Sequence, residues 1–367
     1  MNTFLPNVLC GTSHNFIVRL SPGQARTFRA RMRVQRPGNR WRISYSNTAD
    51  STWDDGSISR ANVPGSEFTI VSAAFSDGTR VQPLTFDGLP GHKVLPGEII
   101  TSDACDMHSR DGCIEFRWCL RAGANGAIIP ATPDSQALCS YADGEHTLDD
   151  AQAFADACAL EPENLCALPD LFEAEHALLP LMLFMGDSIT QGCGTRRGMY
   201  ESWAARIAAE LAPRYAALNI GLGFARIRDA ASDGAWLRRA KRDCVLNMCL
   251  GVNDIMQGEG DSALCIDRLR AAISALKAAP HAPRIVLFTI PPFDYIGADI
   301  ANWRAINAAI LAPEHLGADY AFDMASVLSR GGEQDYLAKY GPHPDGTGGA
   351  AVAEAYIRWA EESGVMG

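Results

Sequence analysis

The alternation of apolar and polar positions changes character near the middle of the chain. Up to about residue 145, apolar and polar residues alternate over short runs, as in Trp41-Arg-Ile-Ser-Tyr45, Phe68-Thr-Ile-Val71 and Ile114-Glu-Phe-Arg-Trp118. A period of two sends every second side chain to one face, the pattern of a half-buried strand. Clusters of turn residues separate the runs: Arg36-Pro-Gly-Asn39, Phe86-Asp-Gly-Leu-Pro-Gly91 and Leu95-Pro-Gly-Glu98. Short strands punctuated in this way predict an antiparallel β-sandwich of the jelly-roll kind over residues 1–145. Residues 146–177 are acidic and Ala-rich and read as a connecting segment, with a helix over 149–160 as one option.

From residue 178 to 367 the pattern alternates between buried strands and amphipathic helices. Leu181-Met-Leu-Phe-Met185, Val245-Leu-Asn-Met-Cys-Leu250 and Ile285-Val-Leu-Phe-Thr-Ile290 are short apolar runs, and Tyr320-Ala-Phe-Asp323 reads as an edge strand. Between them, Trp203, Ile207 and Leu211 fall on one helical face, as do Leu264, Leu269, Ile273 and Leu276. Further helices are expected over 303–311 and 348–361. Strands and helices in alternation predict βαβ units around a parallel sheet, whose ligands bind beyond the carboxyl ends of the strands.

Composition narrows the classes of function. The chain has 367 residues, too many for one core to be the rule, which fits the two patterns. A net charge of −11 gives no field to attract phosphate backbones or anionic membrane surfaces, so neither nucleic acid nor membrane is an expected partner. The start of the chain has no basic segment followed by an apolar stretch, and the eleven cysteines show no CxxC pair. Reduced thiols in a cytoplasmic protein are the expectation, with no metal site. Homo-oligomerisation stays open.

Four segments at or after the expected strands carry groups suited to acyl transfer. Gly186-Asp-Ser188-Ile-Thr190 puts a serine at a strand-to-helix turn, where backbone N–H groups can hold an anion; an ordinary N-cap explains it equally. Asn219-Ile-Gly-Leu-Gly223-Phe224-Ala-Arg226 offers a backbone N–H for an oxyanion, or only a glycine turn. It lacks the third glycine of a dinucleotide fingerprint. Gly251-Val-Asn253-Asp254 offers a fixed neutral amide for an oxyanion, or an Asx-turn. Tyr340-Gly-Pro-His343 supplies an imidazole able to take a serine proton. Asp187, Arg226 and Asp254 are candidates for substrate contact, with Asp229 beside them. Trp236, Tyr295 and Trp303 are candidates for stacking on sugar rings, against the more usual alternative of core packing.

Taken together and in this order, Gly-Asp-Ser188, Asn219-x-Gly, Gly-x-Asn253-Asp and His343-Pro resemble the successive blocks of the SGNH (GDSL-type) hydrolases over about residues 180–367. The resemblance implies a flavodoxin-like three-layer α/β/α domain and a serine esterase without cofactor. Ser188 is then the nucleophile and His343 the base. The oxyanion donors are Ser188, Gly223 or Phe224, and Asn253. Arg42-Ile-Ser-Tyr-Ser-Asn47 and residues 95–103 more weakly resemble the β-rich domain that precedes this fold in carbohydrate-directed members, implying a short-chain, acetyl-type ester on a small molecule or oligosaccharide. A lysophospholipase or thioesterase, and a catalytically weak carbohydrate-binding protein, remain the alternatives. Two departures stand out: Tyr340 occupies the position of the family's usual Asp, and Phe224 stands where glycine is common. A carbonyl near Tyr340 and the carboxylate of Asp335 are the candidates for orienting His343 instead.

Overall fold

The computed structural model describes residues 2–52, 60–109, 111–132, 136–146, 166–231, 234–258 and 260–366; the helix option over 149–160 lies outside them. Contacts divide the chain into two units, Met1–Leu179 with Ala212–Leu218, and Pro180–Leu211 with Asn219–Gly367.

The first unit is built on two antiparallel sheets. One runs Asn2–Pro6, Leu171–Ala177, Arg40–Ser46, Ile99–Thr101, with Cys105–Asp106 also on Arg40–Ser46. The other runs Leu138–Asp143, Ala25–Arg33, Cys113–Ala122, Phe68–Ser76, Val81–Pro83, with His92–Val94 also on Phe68–Ser76. The alternation in Arg40–Ser46 buries Trp41, Ile43 and Tyr45 and turns Arg40, Arg42 and Ser44 outward. Trp41 meets Phe75 at 5.7 Å between ring centres, Tyr45 meets Trp118 at 5.2 Å, and Phe116 meets Phe172 at 5.2 Å, so aromatic side chains of the two sheets form a shared core.

Leu171–Ala177 corrects the sequence expectation of a connecting segment through residue 177. It is a central strand, paired antiparallel with both Asn2–Pro6 and Arg40–Ser46. Its charges hide the alternation. Glu173 and Glu175 take Arg42 and Arg40 at 2.8 and 3.3 Å, while Phe172 and Ala174 are buried.

The mainly parallel sheet has strands we label β1 (Leu181–Gly186), β2 (Ala216–Asn219), β3 (Val245–Cys249), β4 (Arg284–Phe288) and β5 (Tyr320–Phe322). The helices of the second unit are α1 (Ser188–Gln191), α2 (Trp203–Leu211), α3 (Ile227–Ala231), α4 (Ala235–Ala240), α5 (Val252–Met256), α6 (Ser262–Lys277), α7 (Ala298–Leu311), α8 (Met324–Leu328) and α9 (Gly346–Ser363). The sheet order is β2-β1-β3-β4-β5, and β1, β3, β4 and β5 are parallel. The central strands β1 and β3 are apolar along nearly their whole length because helices cover both faces. Trp203 of α2, Phe288 of β4 and Tyr356 of α9 pack in a row on one face. The order is that of the flavodoxin-like doubly wound sheet, in which the chain reverses direction between the first and third strands. A crevice at the carboxyl ends of β1 and β3 is therefore the place for a ligand. Among the described residues no helix is long and apolar enough to cross a membrane.

Candidate active site

The reversal point brings together the segments that follow β1, β2 and β3. β1 ends at Gly186, and Asp187 caps α1 by accepting the Ile189 N–H at 3.0 Å. Ser188 is thus the first residue of a one-turn helix that Gly192 closes in the left-handed region at φ 111°. Its Oγ lies 2.9 Å from Nε2 of His343. This is hydrogen-bond distance.

His343 arrives 155 positions later, in the loop before α9. The Asp345 N–H donates to the Tyr340 carbonyl at 3.1 Å, closing the loop, and the Asp345 carboxylate caps α9 by accepting from Thr347 and Gly348. Gly194, just beyond α1, abuts the other side of this loop. A Cβ there would stand 2.8 Å from the Cβ and the carbonyl oxygen of His343, and φ is +91°. Only glycine allows that approach. Burial holds the imidazole below its ordinary value of 6.5, which keeps it neutral and able to accept a proton.

The segment after β2 is fastened to α1. Asn219 donates through its amide to the Thr190 carbonyl at 2.8 Å and accepts the Gly221 N–H at 2.7 Å. Gly221 lies so close to α1 that a Cβ would meet the Gln191 nitrogen at 2.4 Å. The Gly223 N–H donates to the Gln191 side-chain oxygen at 3.0 Å. The Gly223 N–H is thus taken up by Gln191, and Phe224 follows it along the chain. Phe224 is 41% exposed and has φ +64°, a conformation that costs a bulky residue about 1–3 kcal/mol. Both neighbours are tied: Ala225 donates to the Leu222 carbonyl at 3.0 Å and accepts from Asn253 at 2.9 Å.

Asn253 begins α5 after β3. Its amide has two N–H bonds, of which one goes to the Ala225 carbonyl. Beside it, Asp254 is fully buried, accepts the Ile227 N–H at 2.9 Å and faces Arg268 at 3.8 Å. Asp187 is buried too. Burial pushes its carboxyl up to about 7 against the Ile189 hydrogen bond, and the nearby Asp254 charge adds to the rise.

Other expected substrate contacts are corrected by burial. Asp187 and Asp254 cap and stitch the loops and are 1% and 0% exposed, so neither offers a carboxylate to a ligand at the surface. Arg226 and Asp229 are buried, with the Arg226 N–H on the Asp229 carboxylate at 2.9 Å, and neither lines an open cleft. Trp236 and Trp303 donate their indole N–H groups to the Ile220 and Ile290 carbonyls at 2.8 and 2.7 Å, and the Tyr295 hydroxyl donates to the Pro291 carbonyl at 3.3 Å. All three are core residues, unavailable for stacking on a sugar. The helical and loop positions gave no sign of which way these rings turn. Sequence reasoning missed Gln191, which fixes Gly223, and Gly194, which abuts His343. The second glycine in Gly192-Cys-Gly194 was the only sign of the latter. Among the described residues no group of three His, Cys, Asp or Glu side chains is placed to hold a metal ion.

The model of the GDSL-like Lipase/Acylhydrolase family matches residues 184–351. No curated protein matches the chain. Among solved structures, a family two carbohydrate esterase from Clostridium thermocellum in complex with cellohexaose is 15% identical, covers 99% of this chain and 100% of its own, and has a TM-score of 0.42. A family two carbohydrate esterase from Cellvibrio japonicus is 13% identical over 98% and 97%, with a TM-score of 0.38. A member of the lipolytic protein G-D-S-L family from Veillonella parvula is 18% identical, covers 48% of this chain and 96% of its own, and has a TM-score of 0.38.

Proposed function

Because residues 184–351 match the model of the GDSL-like Lipase/Acylhydrolase family, we propose that the protein is a serine esterase that removes short acyl groups, acetyl foremost, from a carbohydrate or similar polyol. The 2.9 Å contact between Ser188 Oγ and His343 Nε2 carries the proposal. Ser188 attacks the ester carbonyl as its proton passes to His343. The Ser188 N–H, the Phe224 N–H and the second Asn253 N–H stabilise the oxyanion, each worth about 3 kcal/mol in the transition state. His343 then gives the proton to the departing alcohol, and water repeats the sequence on the acyl-enzyme. Phe224 supports the short acyl chain, since an aromatic side chain is held in the oxyanion segment where glycine would leave room. The carbohydrate part rests on the sequence resemblance of residues 42–47 and 95–103.

Hydrolysis of p-nitrophenyl acetate, butyrate and octanoate tests this. The acetate is expected to be the best substrate, and Ser188→Ala to lower its turnover by at least about 10³-fold. Phe224→Gly is expected to extend cleavage to butyrate. Equal activity in wild type and Ser188→Ala removes Ser188 as nucleophile, and a preference for octanoate favours the lysophospholipase or thioesterase alternative.

A further inference from the structure

The histidine of a hydrolytic serine–histidine pair is ordinarily oriented by a carboxylate on its second nitrogen. Here the nearby Asp335, Asp345 and Asp294 each have another partner. Position 340 is Tyr, and its ring lies under the Lys339 ammonium at 5.0 Å. Asp335 is paired with Arg304. Asp345 caps α9, and Asp294 accepts the Ala338 N–H at 2.8 Å. The Tyr340 carbonyl receives the Asp345 N–H. The two orienting groups expected from sequence therefore have other partners.

What does lie against the imidazole is Phe293. The two rings are 5.2 Å apart at 77°, an edge-to-face contact. Phe293 is itself held fast. It follows Pro291-Pro292 at the end of β4 and sits in an aromatic row with Tyr295 at 6.4 Å and, beyond it, Trp303 at 5.9 Å. Tyr295 and Trp303 hydrogen-bond back to the Pro291 and Ile290 carbonyls, and Asn307 donates to the Ile290 carbonyl and accepts its N–H. On the chain's other side, Asp294 has φ 54° and is tied to Ala338.

We propose that Phe293 is the positioning residue for His343: its anchored ring and the Gly194 backbone fix the imidazole between them, in the role an acid at position 340 would otherwise fill. This rests on the esterase reading above. An aromatic wall supplies orientation and keeps water off the ring, but no counter-charge, so His343 works as the neutral base of a dyad.

The experiment compares Phe293→Leu, Phe293→Tyr and Phe293→Leu/Tyr340→Asp with wild type on p-nitrophenyl acetate across pH, and follows His343 by NMR titration. Phe293→Leu is expected to lower kcat at least ~10-fold with KM within ~2-fold, as for a misplaced base. Its acid limb and the His343 titration should both move up toward 6.5 as water reaches the ring. Phe293→Tyr should keep wild-type kcat and pH profile, and Tyr340→Asp should raise kcat more in the Leu background than alone. Wild-type kcat and titration in Phe293→Leu would overturn the proposal. So would a loss of activity that follows thermal stability with the titration unmoved. Phe293→Met serves if the Leu variant does not fold. A wild type inactive on every ester defeats the esterase reading instead, while the NMR titration still decides the packing role.

Discussion

At the scale of single residues, the site is governed by where water is excluded. His343 and Asp187 are both moved toward their neutral forms by burial, one downward from 6.5 and the other upward to about 7. In the proposed mechanism His343 acts in its neutral form, so activity is expected to persist below pH 6.5 and to fall only as the imidazole protonates. For Asp187 the fold favours the protonated acid over a value near 3.8 when unfolded. That stability is fully present below about 3.8 and is lost as pH rises toward 7. Asp187→Asn keeps the cap on Ile189, because Asn is as good an N-cap as Asp. It is expected to stabilise the protein at pH 8 by on the order of 2–4 kcal/mol and to change little at pH 4, measured by thermal unfolding. The segments around Ser188, Asn219 and Asn253 were legible in the sequence because each directly follows an apolar run. The direction of a side chain was not: Trp236, Tyr295 and Trp303 sit among small and polar neighbours in the chain, and only their hydrogen bonds to buried carbonyls reveal them as core.

At the scale of elements, the loops act as a set because they are tied to one another rather than to the sheet alone. Asn219 binds α1, Gln191 binds Gly223, and Asn253 binds Ala225, so the segments after β1, β2 and β3 share one network. Gly194 extends it to the loop of His343. Gly194→Ala is expected to push that loop away. It should cost at least about 1 kcal/mol for the left-handed backbone, and it should lower kcat about 10-fold or more with KM little changed. Stability curves together with steady-state kinetics check both effects; unchanged kcat would mean that the loop yields without moving the imidazole. The strands β1, β3 and β4 announced themselves as apolar runs. Helix ends did not. α7 starts at Ala298, five residues before the expected 303, because its first turn Ala-Asp-Ile-Ala-Asn carries no apolar periodicity. Leu171–Ala177 was hidden for a related reason, its outward face being filled with acids that pair with arginines of the next strand.

At the scale of the molecule, each unit buries one acid that prefers its proton. Asp170 of the first unit accepts the Ser46 N–H, faces His14 at 3.5 Å, and is pushed up to about 8 by burial. With Asp187 it contributes a loss of stability as pH rises between about 4 and 8. The melting temperature is expected to be higher at pH 5 than at pH 8.5. Asp170→Asn and Asp187→Asn should each flatten part of that slope, and additively, since the two lie in different units. A melting temperature that rises over the same interval would show that both acids ionise in the fold at no cost. The two-unit plan was legible in the change of period. The division by contacts was not, since the first unit takes back Ala212–Leu218 from within the second half of the sequence.

The distance along the chain between nucleophile and base bears on how the protein is made. Ser188 and His343 are 155 positions apart, and the base belongs to the last loop before the final helix. Synthesis runs from the N-terminus, so Ser188, Phe224 and Asn253 all emerge before the imidazole does. A chain that stops short of residue 343 lacks the imidazole that lies 2.9 Å from the Ser188 Oγ. On the esterase reading proposed above, ester cleavage begins only after residue 343 has been translated, and products truncated before it cleave none.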